Sequence, residues 1–187
     1  MPNYTEDRAR SDLFIPEIRR IVGPHLLQPS NLEQDCTEAT DLIVLHARDM
    51  RIAARVRRHG YGDKYPFDIT IRARRDSGVK TELSKIVDGW GDWFFYGHAD
   101  LKDCAIERWW LVDLDAFRAG LIRDLNRFPP DRVKCGNRAN GDGTYFKFFD
   151  LRSFPDSPPI LVASSHNLLK TITAPHLSFS SMEMVSE

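Results

Sequence analysis

The sequence predicts an α/β domain: a mixed sheet of four or more strands flanked by helices, followed by an irregular C-terminal extension. Three patterns predict it. The run Phe67-Asp68-Ile69-Thr70-Ile71-Arg72-Ala73-Arg74 alternates apolar and polar residues. Strand side chains repeat every two residues, so this reads as a half-buried strand. Phe14, Ile15, Ile18, Ile21 and Val22 recur at helical spacing, and so do Leu83, Val87, Trp90 and Phe94.

Taken in chain order, the first helix covers Leu13 to Val22, with Ser11 or Asp12 near its start, and stops at Gly23-Pro24. A polar connector through Gln28-Pro29-Ser30-Asn31 leads to a short apolar strand, Asp41 to His46. Met50 to Arg58 is a second strand, on which Arg55 and Arg57 share one face. Phe67 to Arg74 is the third. Asp76-Ser77-Gly78 turns the chain into a helix from Thr81 to Phe95, expected to pack across one sheet made of these three strands. Gly89 and Gly91 each weaken that helix by about 1 kcal/mol, which close packing or a break in the helix would explain.

Cys104 to Val112 reads as a further strand and Asp113 to about Leu125 as an amphipathic helix. Arg132-Val133-Lys134 and Tyr145 to Phe149 suit a hairpin around the turn Asn140-Gly141-Asp142-Gly143. Pro155 to Pro159 is a rigid connector, and Ile160 to Ala163 suits a last strand. The expected organisation is a core over 1–127, a β-rich extension of the same domain over 128–177 and a flexible tail over 178–187.

Composition narrows the function. A chain of 187 residues with 42% hydrophobic residues can build one domain with a core. It has no apolar run long enough for a membrane helix, and its polar, acidic start has no signal-peptide pattern. Cys36, Cys104 and Cys135 are odd in number and widely spaced, so the expectation is a reducing cytoplasm. Charge is unevenly placed. From Arg48 to Lys80 there are ten basic and four acidic residues, a net +6 in a chain of net −1. A basic block in an otherwise acidic molecule is the footprint of a polyanion site, although many such runs are only solvated faces.

The order helix, three strands, helix, strand, helix over residues 12 to 125 resembles the core of the PD-(D/E)XK nuclease superfamily, which includes resolvases and very-short-patch repair nucleases. The resemblance implies a restriction-endonuclease-like core, Mg²⁺ or Mn²⁺ as cofactor, and nucleic acid, DNA first, as substrate. It places Asp41 at the metal-binding aspartate and Arg55-Val56-Arg57 at the (D/E)-x-K triplet, with Glu33 as an extra acid before the first strand. Arg57 can stand for the family lysine. Arg55 cannot stand for the acid, because guanidinium stays protonated and has no lone pair to offer. The implied metal set is therefore Asp41 with Glu82 or Asp68, and the implied catalytic set is Asp41, Glu82, Lys85 and Arg57. Arg51, Arg55, Arg58, Arg72 and Arg74 would grip the backbone. Resolvase-like members are commonly dimers, which extends the expectation to a homodimer.

Two other readings compete. The first is an inactive nuclease fold that binds nucleic acid or masks a nucleic-acid enzyme, as small phage-type accessory proteins do. The second is a protein-interaction domain using the aromatic segment Gly89 to His98. In that segment Trp90 and Phe94 are expected in the core, with Tyr96 and His98 exposed for stacking. Gly-x-Ser-x-Gly is absent, Ser164-Ser165-His166 has no nucleophile elbow, and no glycine-rich dinucleotide fingerprint follows a strand.

Overall fold

The computed structural model of the chain describes residues 4–29, 42–44, 50–126 and 133–165. The helix predicted over Leu13–Val22 is α2 (Ile15–Val22); a further helix that the pattern did not show, α1 (Tyr4–Leu13), precedes it across a turn at Phe14. Pro16 lies in the first turn of α2, where a missing N–H costs nothing. After a 3₁₀ turn at Gly23–Leu26, β1 (Leu27–Pro29) pairs antiparallel with β2 (Leu42–Val44).

The remaining strands form two larger sheets. One has the order β3 (Ile52–Arg57), β5 (Trp93–Ala99), β6 (Ile106–Asp113) and β9 (Leu161–Ser164). It is mixed, since β3 and β5 run parallel while β5–β6 and β6–β9 are antiparallel. The other sheet is antiparallel, β4 (Asp68–Arg75) pairing with β8 (Thr144–Asp150) and β8 with β7 (Cys135–Ala139). The helices α3 (Tyr61–Lys64), α4 (Glu82–Val87) and α5 (Leu114–Asn126) join these strands. Among the described residues no helix is long and apolar enough to cross a membrane.

The α/β class with a mixed four-stranded sheet holds, but the expected pairing does not. The strands near Asp41–His46, Met50–Arg58 and Phe67–Arg74 fall in three different sheets. β4 finds its partner in β8, more than 70 residues on, where Ile69 lies opposite Phe149 and Arg72 opposite Phe146. The C-terminal segment is thus woven onto a strand of the core region.

The expected Thr81–Phe95 helix ends at Val87. Gly89 (φ +89°) and Gly91 (φ +83°) take left-handed conformations that interrupt it. The aromatic run that follows becomes β5, the most buried strand. Its residues alternate between two cores. Phe94 and Tyr96 join a cluster with Ile69, Ile71, Ile86, Trp110, Phe117 and Phe149, while Phe95 and Ala99 join Phe14, Ile18, Val22, Val56 and Leu111. A strand buried on both faces reads as a continuous apolar run, so periodicity alone cannot separate it from a helix.

Candidate functional site

One face of the four-stranded sheet changes character along its length. Register places Ala53, Arg55 and Arg57 of β3 beside Phe94, Tyr96 and His98 of β5, and these beside Val112, Trp110 and Arg108 of β6. The Ala53–Phe94–Val112 end packs into the core. The Arg57–His98–Arg108 end is polar; Arg57 and His98 line a cleft, and Arg108 lines a neighbouring recess with His98. The opposite wall comes from β4, β8 and β7, where Thr70, Phe148, Phe146 and Arg138 share a face by the same alternation. A hydroxyl pair, Thr70 Oγ1 to Tyr96 OH at 2.9 Å, joins the two sheets.

The cleft encloses about 220 Å³ and is lined by Arg57, Tyr61, Tyr65, Asp68, Thr70, Tyr96, His98, Arg138, Asn140, Phe146 and Phe148. Three guanidinium groups surround one ring: Arg55, Arg57 and Arg72 lie 5.2, 6.0 and 5.8 Å from the Phe146 centroid. Arg57 also lies 4.3 Å from the Tyr61 centroid. Cation–π contact stabilises each cation without an anion. The Nε–H groups of Arg57 and Arg72 are buried with no hydrogen-bond partner among the described residues.

An open groove of about 540 Å³ lies on the other side of Arg55 and Arg72. Its lining includes the cations Arg51, Arg55, Arg72, Arg75, Lys80 and Lys85 against one carboxylate, Glu82, with Trp90 at the rim. Part of this charge is matched. Arg51 meets Asp92 at 3.4 Å, Lys80 pairs with Asp88, and Arg55 meets Glu82 at 2.5 Å. Arg72, Arg75 and Lys85 have no carboxylate within ion-pair distance among the described residues.

Glu82 is held in place by its helix start. Thr81 Oγ1 donates to the Ala73 carbonyl at 3.0 Å, and Ser84 Oγ accepts from the Thr81 N–H at 2.9 Å, which fixes α4 against β4. The Glu82 carboxylate then accepts from Arg55, and from the Arg72 backbone N–H at 3.3 Å. Burial lowers the Arg55 pKa, and the Glu82 charge opposes that shift. Glu82 thus pairs with Arg55 on β3 and not with Lys85, three residues further along α4.

The protein has no match among protein-family models, curated proteins or solved structures. The placement of the predicted site residues therefore rests on geometry. Asp41 and Glu33 lie outside the described residues. Asp68 lies four residues before Arg72 on β4, about 13 Å along the strand from the backbone that Glu82 touches. One Mg²⁺ needs oxygen ligands at about 2.0–2.1 Å, so Asp68 and Glu82 do not fit as a shared pair, and the Glu82 charge is already met by Arg55. Burial, then the Asp150 charge, raises the Asp68 pKa. Lys85 is exposed on the groove.

Of the arginines expected to grip a polyanion, Arg55 and Arg72 join Arg57 around Phe146. Arg51 sits at the far end of the groove, 5.7 Å from the Trp90 centroid. Arg58 is exposed, and Arg74 lies 4.1 Å from the Tyr145 centroid beside Asp76. Two aromatic expectations are corrected. Tyr96 and His98 are buried, at 2% and 4% exposure, because they lie inside a strand; Trp90 is 60% exposed, because the helix has ended before it. Phe146, Phe148, Tyr61 and Tyr65 were not singled out from the sequence. Alternation in Tyr145-Phe146-Lys147-Phe148-Phe149 is the only signal for Phe146 and Phe148, and it does not say which face meets the arginines.

Proposed function

We propose that this chain binds nucleic acid as an unpaired strand, with phosphates along the basic groove and bases at the aromatic cleft. The convergence of Arg55, Arg57 and Arg72 on Phe146 carries this reading. Binders of single strands pair a cationic track with rings on which bases stack, and both elements meet at this ring. A phosphate beside Arg57 or Arg72 would gain charge-assisted hydrogen bonds from groups that face no carboxylate. A cleft of about 220 Å³ is on the scale of one base and not of a base pair, which favours single strands over duplex. Binding is put ahead of metal-dependent cleavage because Glu82, one of the two expected partners of Asp41, is engaged by Arg55.

The test is fluorescence anisotropy of labelled single-stranded DNA, single-stranded RNA and duplex across a salt series, in EDTA and in Mg²⁺ or Mn²⁺. Single strands should bind more tightly than duplex, equally with and without metal. Replacing Arg57 and Arg72 together by Ala should lower the slope of log affinity against log salt by about 1.4, at roughly 0.7 per phosphate contact on a single strand. Absence of binding at low salt, or a flat salt response, overturns the reading. Cleavage of these strands with Mg²⁺ or Mn²⁺ would instead favour the nuclease.

A further inference from the structure

We propose that the cleft beside Arg57 is a selective pocket for one unstacked nucleobase, whose edge is read by the imidazole of His98. This rests on the strand-binding reading for the class of ligand. His98 is 4% exposed and lines the cleft, yet neither Nδ1 nor Nε2 has a hydrogen-bond partner among the described residues. Buried polar atoms are nearly always paired, so two orphan nitrogens on one ring call for an external partner.

The ring is held rather than loose. A Cβ on Gly62 would lie 3.2 Å from His98 Cγ and 3.3 Å from Nδ1, so α3 packs its backbone directly against the imidazole. Burial, then the charges of Arg108 and Arg57, lower the His98 pKa to about 4, while Asp63 opposes the shift. The ring is therefore neutral at neutral pH and offers one donor and one acceptor. Nδ1 and Nε2 point away from each other, so one ligand meets one of them. A phosphate only accepts, whereas a base edge sets a donor beside an acceptor and can pair with that nitrogen in either tautomer.

The charges in the cleft orient the ligand. Arg57 lies on the β3 wall, Arg138 on the β7 wall and the carboxyl of Asp68 on the β4 wall. The carboxylate repels a phosphate and accepts from a ring N–H or amino group. The base accordingly lies between His98 and Asp68, with its phosphate toward Arg57. Tyr61, 46% exposed at the mouth, supplies a face for stacking.

The test measures binding of the four nucleoside 5′-monophosphates and of ribose 5-phosphate to the full chain by calorimetry. Imidazole ¹⁵N chemical shifts are followed in the same samples. At least one nucleotide should bind tenfold or more tightly than ribose 5-phosphate and should shift at least one His98 ring nitrogen. His98→Asn and Tyr61→Ala should each reduce that preference at least fivefold, and Tyr61 is exposed enough that its removal leaves the fold intact. The pocket is overturned if ribose 5-phosphate matches every nucleotide, if none of the five binds at millimolar concentration, or if the preference survives both substitutions. Nucleotide binding without strand binding would overturn the proposed function and leave the pocket standing. Strand binding without base preference would do the reverse.

Discussion

Arg55 of β3 and Glu82 of α4 meet at 2.5 Å across the boundary between the two sheets. Both side chains are largely shielded, at 16% and 25% exposure, so the pair acts as a structural tie more than as a surface bridge. Glu82→Gln keeps the shape and removes the charge. It should lower stability by about 1.5–3 kcal/mol, the range for a hydrogen bond to a charged group, measured by urea unfolding. It should also strengthen binding of a single strand, because the groove loses its one lining carboxylate. Weaker binding in the variant would contradict this account.

His98 predicts the response to acid. Its folded-state pKa of about 4 lies below the ordinary value of 6.5, so the unfolded chain binds the proton first. A depressed folded pKa gives stability that is full above pH 6.5 and falls as pH drops toward 4. The loss across that window should reach on the order of 3 kcal/mol at most. Arg57, Arg108 and Asp63 are the charged neighbours, and only Asp63 would welcome an imidazolium. Chemical unfolding of the wild type and of His98→Asn at pH 7, 5.5 and 4.5 checks this. The variant should show a clearly flatter profile; parallel profiles would exclude His98 as the source.

Legibility in the sequence followed the number of faces each segment buries. β4 was readable because only alternate residues, Ile69 and Ile71, are fully buried, leaving polar partners to mark the period. β5 was not, because cores on both sides take its side chains and erase the alternation. In the site, Arg55, Arg57 and Arg72 stood out as a basic cluster on strands. Phe146 did not, since its place depends on pairing between β4 and a strand more than 70 residues away, and local pattern carries no trace of that partner. Tyr61 lies in a four-residue helix too short to leave a periodic signal.

The core cluster should be sensitive at Phe117. This ring is fully buried, 5.0 Å edge-on from Phe149 and 5.4 Å from Phe154. It joins α5 to β8 and to the segment after it. Phe117→Ala should cost about 3–5 kcal/mol, the range for truncating a buried aromatic, and Phe117→Leu clearly less. Urea midpoints at constant m-value measure this. A loss below about 1 kcal/mol for the Ala variant would mean that α5 does not pack as described.

Gly136 offers a way to disturb the cleft while sparing the fold. It lies on β7 opposite Phe148, and a Cβ there would come within 2.5 Å of Phe148 Cε1 and 2.8 Å of Cζ. Its backbone is not left-handed, so Ala adds no conformational strain and the steric load falls on a movable ring. In Gly136→Ala the Phe148 ring must leave its position in the cleft wall. Stability should change by less than about 1 kcal/mol, since Gly in a strand interior is itself unfavourable by roughly that amount. Single-strand affinity should fall by about tenfold or more, since stacking on one aromatic ring is worth about 1–3 kcal/mol per base. Melting temperature and anisotropy on the same preparation separate the two effects. An unchanged affinity in a folded variant would remove Phe148 from the binding surface and leave Tyr61 and Phe146 to carry the stacking.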